Sequence, residues 1–223
     1  MGDKKAIFVV RTGPPEDEAN WNKWLNNRHI PDRLALPGFL FAQRFVTLDG
    51  DIKYLNLYGL SGAAVMNSDG YTRLRDREAT QPADTFEAQS ARLPRVVRQV
   101  YEPIYPENTD DYLLTNAKLM MAVGIDVPLE HEEELNAWYN TEHMPLILRV
   151  PGFLVGQRFM ATQVPLSSKS GRPVSGPKYI ALYSIANQDV LCSEDFNKVR
   201  VTPWTVRVSS LYKRAFRCVY ACL

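Results

Sequence analysis

Two stretches of this 223-residue chain match each other: residues 22–45 read NKWLNNRHIPDRLALPGFLFAQRF, and residues 136–159 read NAWYNTEHMPLILRVPGFLVGQRF. Both contain Asn-x-Trp-x-Asn-x-x-His-x-Pro, then Pro-Gly-Phe and then Gln-Arg-Phe, at a constant offset of 114 residues. The match extends without a gap over residues 7–46 and 121–160. Agreement in one register over this length predicts an internal duplication, with two copies of one structural unit.

Each copy has the element pattern of a small α/β unit. Residues 5–12 and 118–126 are β-branched and apolar, and they predict strands. A helix carrying the motif follows and ends before Pro37 or Pro151, where a Pro-Gly turn leads into the Gln-Arg-Phe strand. A second strand, a second helix and a last strand complete the copy. This order is the ferredoxin-like split βαβ arrangement.

A single unit of this kind covers only one face of its sheet with helices and leaves the other face apolar. Two units that pack sheet to sheet bury both faces. The sequence therefore predicts an α+β fold of two tandem ferredoxin-like βαββαβ repeats, which form an α/β barrel within one chain. We assign residues 1–105 to the first repeat, 106–116 to a linker and 117–223 to the second repeat.

Composition narrows the classes of function. Lys and Arg number 26 against 25 Asp and Glu, so the chain has no broad field for a nucleic acid or an anionic membrane, and neither is an expected partner. No apolar stretch approaches the roughly 20 residues that span a bilayer. Cys192, Cys218 and Cys222 are predicted to be reduced thiols, which favours a cytoplasmic protein without a cysteine metal site.

Two of the three histidines, His29 and His143, occupy the same position in the two motifs. At about 100° per residue of an α-helix, each lies on the flank of the apolar stripe, near Asn26 or Asn140. An imidazole there reaches a cleft between helix and sheet and titrates near neutral pH, which suits a general acid or base oriented by the amide. The alternative is structural, because a histidine at a helix end can hydrogen-bond the last carbonyls.

Strand residues are the candidates for substrate binding. Four tyrosines keep one strand parity and are predicted to line one face of the sheet, either in packing or as phenolic donors in a pocket. The motif arginines point to the face opposite the neighbouring glutamines. They could bind a carboxylate or an enolate of the substrate, or they could pair with an exposed side chain. The predicted substrate-binding residues are Tyr54, Tyr58, Tyr179, Tyr183, Arg44, Arg158 and Trp204.

The string Trp-x-Asn-x-x-His-x-Pro, followed by Pro-Gly-Phe and Arg-Phe, resembles the EthD-like branch of the dimeric α/β-barrel superfamily. The resemblance covers both halves and implies a pocket between helix and sheet, with the motif histidine as acid or base. Those roles would fall to His29 and His143, with Asn26 and Asn140 beside them. Similar proteins include cofactor-free dehydratases, cyclases and isomerases of aromatic or polyketide metabolites, small monooxygenases and haem-binding barrels. Family units often pair as homodimers, whereas this chain carries two units.

The expected function is a cofactor-independent lyase or isomerase (dehydration, retro-aldol or cyclisation) acting on an apolar, aromatic or polyketide-like small molecule. No Gly-rich phosphate loop or nucleophile elbow is present, and no metal or cofactor is predicted. One alternative is a haem-dependent or cofactor-free monooxygenase on the same barrel. Another is a non-catalytic small-molecule binding protein. The fused barrel could also pair as a homodimer.

Overall fold

The structure is a computed structural model that describes residues 4–90, 92–106, 114, 116–164, 166 and 176–223. The predicted linker lies largely outside these residues. The strands of the described chain are β1 (Ala6–Thr12), β2 (Phe39–Asp49), β3 (Tyr54–Leu60), β4 (Val97–Tyr105), β5 (Leu119–Asp126), β6 (Phe153–Ala161), β7 (Tyr179–Ile185) and β8 (Lys213–Cys222).

The strands form a closed antiparallel barrel in the order β1-β3-β2-β8-β5-β7-β6-β4. Within it, β1–β4 and β5–β8 have the same strand order. The two sheets join along both edges, with Phe45 of β2 opposite Cys222 of β8 and Tyr101 of β4 opposite Ala161 of β6. The predicted α+β barrel is confirmed. Hydrogen-bonded closure leaves no exposed sheet edge, which removes a template for aggregation.

Every residue of β3 and β7 is buried, because each strand is central in its half and is covered on both faces. Leu57 and Leu182 point into the barrel, where apolar side chains fill the interior. Tyr58 and Tyr183 point outward, into the layer between sheet and helices. Side chains therefore fill the barrel interior, and two cavities of the described chain lie between the outer face of the sheet and its helices.

Short helices cover that outer face. They are α1 (Glu18–Trp24), α2 (Ile30–Leu34), α3 (Asp69–Ala79), α4 (Phe86–Gln89), α5 (Glu132–Trp138), α6 (Met144–Ile147), α7 (Glu194–Val199) and α8 (Pro203–Ser209). The sequence predicted one second helix in each half. The structure has two there, α3 with α4 and α7 with α8.

The motif helix of each half contains a π-helical segment, Leu25–His29 in the first and Tyr139–His143 in the second. In each, the backbone N–H after the histidine bonds the carbonyl five residues earlier. The proline two residues after each histidine lacks an N–H, so the α-helical ladder is already interrupted there. The prediction of a continuous α-helix was wrong at this point, which decides where the histidines lie.

Candidate active site

The π segments place each histidine over a tryptophan of its own helix. The ring centroids of Trp24 and His29 are 4.8 Å apart, and those of Trp138 and His143 are 4.3 Å apart with the rings stacked. These pairs are five residues apart, a spacing that puts two side chains on different faces of an α-helix but on one face of a π turn. The imidazoles therefore lie over the tryptophans, nearer the buried face than the flank predicted from α-helical periodicity.

The motif asparagines bind the motif arginines. In the first half, the Arg44 guanidinium donates to the side-chain oxygens of Asn22 and Asn26, the latter at 2.8 Å. Arg44 is 6% exposed and also donates to Asn56 on the neighbouring strand. The arginine thus ties the helix to the sheet. The Asn26 oxygen predicted to orient the imidazole is engaged by this guanidinium.

The second half repeats this clamp with Arg158, which is 1% exposed. Its guanidinium donates to the side-chain oxygens of Asn140 and Asn136, the latter at 2.8 Å, and lies 4.2 Å from the Tyr139 ring centroid. Burial lowers the pKa of Arg158. The amide oxygens and the aromatic ring therefore replace water around a buried cation.

Each half has a cavity between its motif helix and the outer face of its sheet. The first-half pocket measures about 110 Å³, and its walls include Phe8, Trp21, Leu25, His29, Tyr58 and Tyr71. Burial raises the pKa of Tyr58 to about 12, so its hydroxyl stays protonated at physiological pH.

A buried ion pair lies in the wall of the first-half pocket. Arg33 of α2 donates two hydrogen bonds of 3.0 Å to the carboxylate of Glu78 on α3. The His29 Nδ1 atom lies 3.8 Å from the same carboxylate. The second half has Ile147 at the position equivalent to Arg33. The two pockets therefore differ in charge although their motifs match.

The second-half pocket measures about 130 Å³. Its described walls are aromatic and aliphatic around His143, with arginines as the charged residues: Met121, Val123, Trp138, Tyr139, Ile147, Tyr183, Phe196, Tyr212, Arg200, Arg214 and Arg217, with Thr205 and Ser209. Burial raises the pKa of both Tyr139 and Tyr183, and their hydroxyls are hydrogen-bonded to each other. These phenols stay protonated.

His143 is held as a neutral imidazole. Burial, together with the Arg158 and Arg214 guanidinium groups, lowers its pKa to about 3. Its Nδ1 atom is buried and has no hydrogen-bond partner among the described residues, while the ring lines the pocket. A general acid or base works best with a pKa near the working pH. His143 is poorly suited to that role, and a neutral imidazole is instead the form that binds a metal.

The structure brings four of the predicted site residues to the pockets: His29 with Tyr58, and His143 with Tyr183. Three of the four tyrosines, Tyr58, Tyr179 and Tyr183, belong to the clusters under the helices. The arginines and asparagines of the motif are joined in the two clamps.

Five of the seven predicted substrate-binding residues line neither pocket: the clamp arginines Arg44 and Arg158, and Tyr54, Tyr179 and Trp204. The Tyr54 hydroxyl hydrogen-bonds the Glu18 carboxylate. The Tyr179 hydroxyl accepts a hydrogen bond of 3.3 Å from Asn136. Trp204 packs against the core of the second half, and its buried Nε1 atom has no hydrogen-bond partner in the part of the chain that the structure describes. In the structure these side chains make local contacts.

Sequence reasoning missed the charged residues of both pockets. The signal for Arg33 was its difference from Ile147 at the equivalent motif position. Arg214 and Arg217 are on β8, outside the matched segment, and only the closed barrel shows that they face His143. Among the described residues, no group of three His, Cys, Asp or Glu side chains could hold a metal ion, and no described helix could cross a membrane.

No protein-family model matches this sequence, and no curated protein matches it significantly. Solved structures do match its fold. An anthrone oxidase-like protein superposes with a TM-score of 0.63 at 11% identity, covering 100% of this chain and 94% of that one. The chain has the dimeric α/β-barrel fold.

Two further neighbours support the same assignment of fold. A protein from Fusobacterium nucleatum, provisionally described as a monooxygenase, gives a TM-score of 0.58 at 9% identity and covers 100% and 94% of the two chains. A haem-binding protein from Thermus thermophilus gives 0.55 at 10% identity, with coverage of 100% and 92%. At these identities the likeness concerns the fold.

The predicted lyase or isomerase reaction and the predicted lack of a cofactor were wrong on this comparison. The neighbours are described as monooxygenase, oxidase-like and haem-binding proteins, and chlorite dismutases are also among them. The physical reason is the state of the motif imidazole in the second half, because a histidine with a pKa of about 3 is a weak acid–base catalyst. The prediction of an enzyme agrees with neighbours described as enzymes.

Proposed function

We propose that this protein is an oxidoreductase of the monooxygenase or oxidase type, and that the second-half pocket is its active site. The observation that carries the proposal is His143, a neutral imidazole in the wall of an aromatic pocket. The descriptions of the structural neighbours support the same reaction class.

Haem fits the donor chemistry of this pocket. Histidine ligates iron as a neutral imidazole, and the His143 ring lines the pocket. The aromatic and aliphatic walls suit a flat apolar macrocycle. Bound haem would supply one-electron and O₂ chemistry.

The size of the pocket sets a condition on haem binding. A cavity of roughly 150 Å³ accepts one benzene ring, and this one measures about 130 Å³. A macrocycle would therefore also need the space on the open side of the pocket, where Arg200 and Arg214 are exposed.

The chain's own residues bind and orient an organic substrate. Trp138 and Tyr139 line the pocket with aromatic surface, against which a planar molecule packs. The Tyr183 hydroxyl is hydrogen-bonded to that of Tyr139 and keeps its proton, because burial raises its pKa well above the usual value. Arg158 fixes the helix that presents these groups, so the pocket is organised before a ligand enters.

Two measurements test the proposal. Haem is titrated into the purified protein, and the Soret band is followed in parent, His143→Ala and His29→Ala proteins. We expect saturation near one equivalent in the parent and in His29→Ala, with loss in His143→Ala. His29→Ala is the matched control because it removes the equivalent imidazole from the other half.

Oxygen uptake is then measured with anthrone as the probe, against free haem at the same concentration. We expect uptake above the haem control that depends on His143. Absence of both a saturable Soret change and protein-dependent oxygen uptake would refute the proposal. Equal haem binding in the parent and His143→Ala would refute His143 as the ligand.

We also propose that the chain belongs to the EthD-like branch and consists of two fused repeats, residues 1–105 and 117–223, joined by 106–116. The repeated clamp and the repeated π segment support this. A cytoplasmic location and pairing of the fused barrel as a homodimer belong to the same proposal. Cell fractionation tests the first, and light scattering of the purified chain tests the second.

A further inference from the structure

Three arginines converge on the second-half pocket. Arg200 follows α7, and Arg214 and Arg217 belong to β8, so side chains distant in sequence meet at one cavity. Among the described residues, no Asp or Glu lines this pocket. One described carboxylate, that of Asp49, lies 3.7 Å from Arg217 Nη1 and is largely exposed.

Arg200 and Arg214 act on Arg217, and Arg214 also acts on the imidazole. Burial and the neighbouring Arg200 and Arg214 lower the pKa of Arg217, even though Asp49 opposes this effect. Arg214 also contributes to the lowered pKa of His143. Like charges held together beside a cavity are unfavourable without an anion, and an anion that enters is attracted by all three.

The first-half pocket is also lined by three arginines, Arg33, Arg75 and Arg98, but it differs in having a carboxylate in its wall. There the Glu78 carboxylate lies in the wall and forms two hydrogen bonds with Arg33. The charge of that arginine is thus neutralised within the fold. The second half has no such internal partner at the equivalent position, which is occupied by Ile147.

The walls of the second-half pocket define the rest of the ligand. Trp138, Tyr139 and Phe196 present aromatic surface, and the volume of about 130 Å³ is close to the roughly 150 Å³ that accepts one benzene ring. Guanidinium groups pair with carboxylates through two parallel hydrogen bonds. The pocket therefore combines a slot for a ring with a cationic mouth.

We propose that Arg200, Arg214 and Arg217 form a carboxylate-binding mouth, and that the ligand of this pocket is a planar aromatic compound that carries a carboxylate. The inference rests on the proposed function in placing the active site in the second half. The same chemistry could come from an aromatic acid substrate or from the propionates of haem.

The first experiment uses the haem-free protein and benzoate, with benzamide as its uncharged analogue, followed by calorimetry. We expect benzoate to bind at least about tenfold more tightly, since a hydrogen bond between charged groups contributes about 1.5–3 kcal/mol. Arg214→Gln and Arg217→Gln should each weaken benzoate binding by about tenfold or more. Arg207→Gln, which removes an arginine paired with Glu134 away from the pocket, should change it less than twofold.

The second experiment compares haem with its dimethyl ester by Soret titration in the same four proteins. Tighter binding of haem than of the ester, lost in the two pocket variants, assigns the mouth to propionates. Selective binding of benzoate alone assigns it to an aromatic acid. Either result supports the carboxylate site.

The inference is overturned if benzoate binds no more tightly than benzamide and haem binds no more tightly than its ester. It is also overturned if neither benzoate nor haem binds. A third refuting result is that the Arg214→Gln and Arg217→Gln variants bind benzoate and haem as the parent does. These outcomes are separate from the tests of reaction class. Haem and its ester could bind equally through His143, which would leave the oxidoreductase proposal in place and remove the arginine mouth. Selective binding of benzoate, without haem binding or oxygen uptake, would keep the arginine mouth and remove the oxidoreductase proposal.

Discussion

The environment of His143 predicts a loss of stability in mild acid that one substitution should remove. Its pKa is about 3 in the folded chain, whereas an exposed histidine has a pKa of about 6.5. Below about pH 6.5 the unfolded chain binds a proton that the folded chain does not, so the free energy of unfolding falls as pH falls. The contribution is fully present above the unfolded pKa and is lost between about pH 6.5 and pH 3.

The magnitude follows from linkage. Each pKa unit corresponds to about 1.4 kcal/mol, so the imidazole should cost about 2.5 kcal/mol of stability between about pH 7.5 and pH 4.5. Carboxylates also titrate in this range, so the parent is compared with His143→Gln. The stability of the variant relative to the parent should rise by about that amount at the lower pH.

Urea unfolding at the two pH values measures this difference, and the NMR titration of the His143 ring protons gives the pKa directly. A parent-to-variant difference that stays constant within about 0.5 kcal/mol would refute the buried neutral imidazole. So would a ring-proton inflection near pH 6.5. Either result would return His143 to the acid–base role expected from the sequence.

Three substitutions test the scaffold. Asn140→Ala removes an acceptor from the buried Arg158 and should lower the free energy of unfolding by about 1.5–3 kcal/mol. Calorimetry should show this as a fall in Tm of about 2–4 °C per kcal/mol, and an unchanged Tm would contradict the clamp. Glu78→Gln leaves Arg33 buried without its counter-charge and should lower the free energy of unfolding in urea by about 3–5 kcal/mol. The double variant Arg33→Met/Glu78→Leu should recover most of this loss, and a double variant as unstable as Glu78→Gln would contradict the unpaired charge as its cause. Phe159→Ala, at a fully buried barrel position, should cost about 3–5 kcal/mol with an unchanged m-value, and a cost below about 1 kcal/mol would contradict a solid interior.

The barrel could be predicted because it follows from local patterns that occur twice. The Pro-Gly turns and the β-branched strands fix the order of elements, and the apolar face of each sheet requires a cover. The parity of Tyr58 and Tyr183 predicted that they share one face of the sheet, and in the structure that face is the helix-facing one. The hydrogen-bonded closure between β2 and β8 is a long-range pairing, for which the sequence of either strand carries no separate signal.

The position of the histidines could not be predicted, because it depends on a departure from α-helical geometry. The extra residue in the π turn moves His143 from the flank of α5 to a stack on Trp138. The proline at position 145 weakens the ladder there, but proline alone does not specify a π segment. The lowered pKa depends further on Arg214, which is 71 residues away in sequence.

The motif therefore carries less information about the reaction than its agreement between halves suggests. Its asparagines and arginines are used in both halves for the same clamp between helix and sheet, which is a requirement of folding. The residues that separate one pocket from the other lie at positions where the halves differ, such as Arg33 against Ile147, or outside the matched segments, such as Arg217. Substitutions in the clamp should change the stability of either half in the same way, whereas substitutions among the pocket charges should change ligand choice in one half only. The chemistry of this chain is thus to be sought in what its two halves do not share.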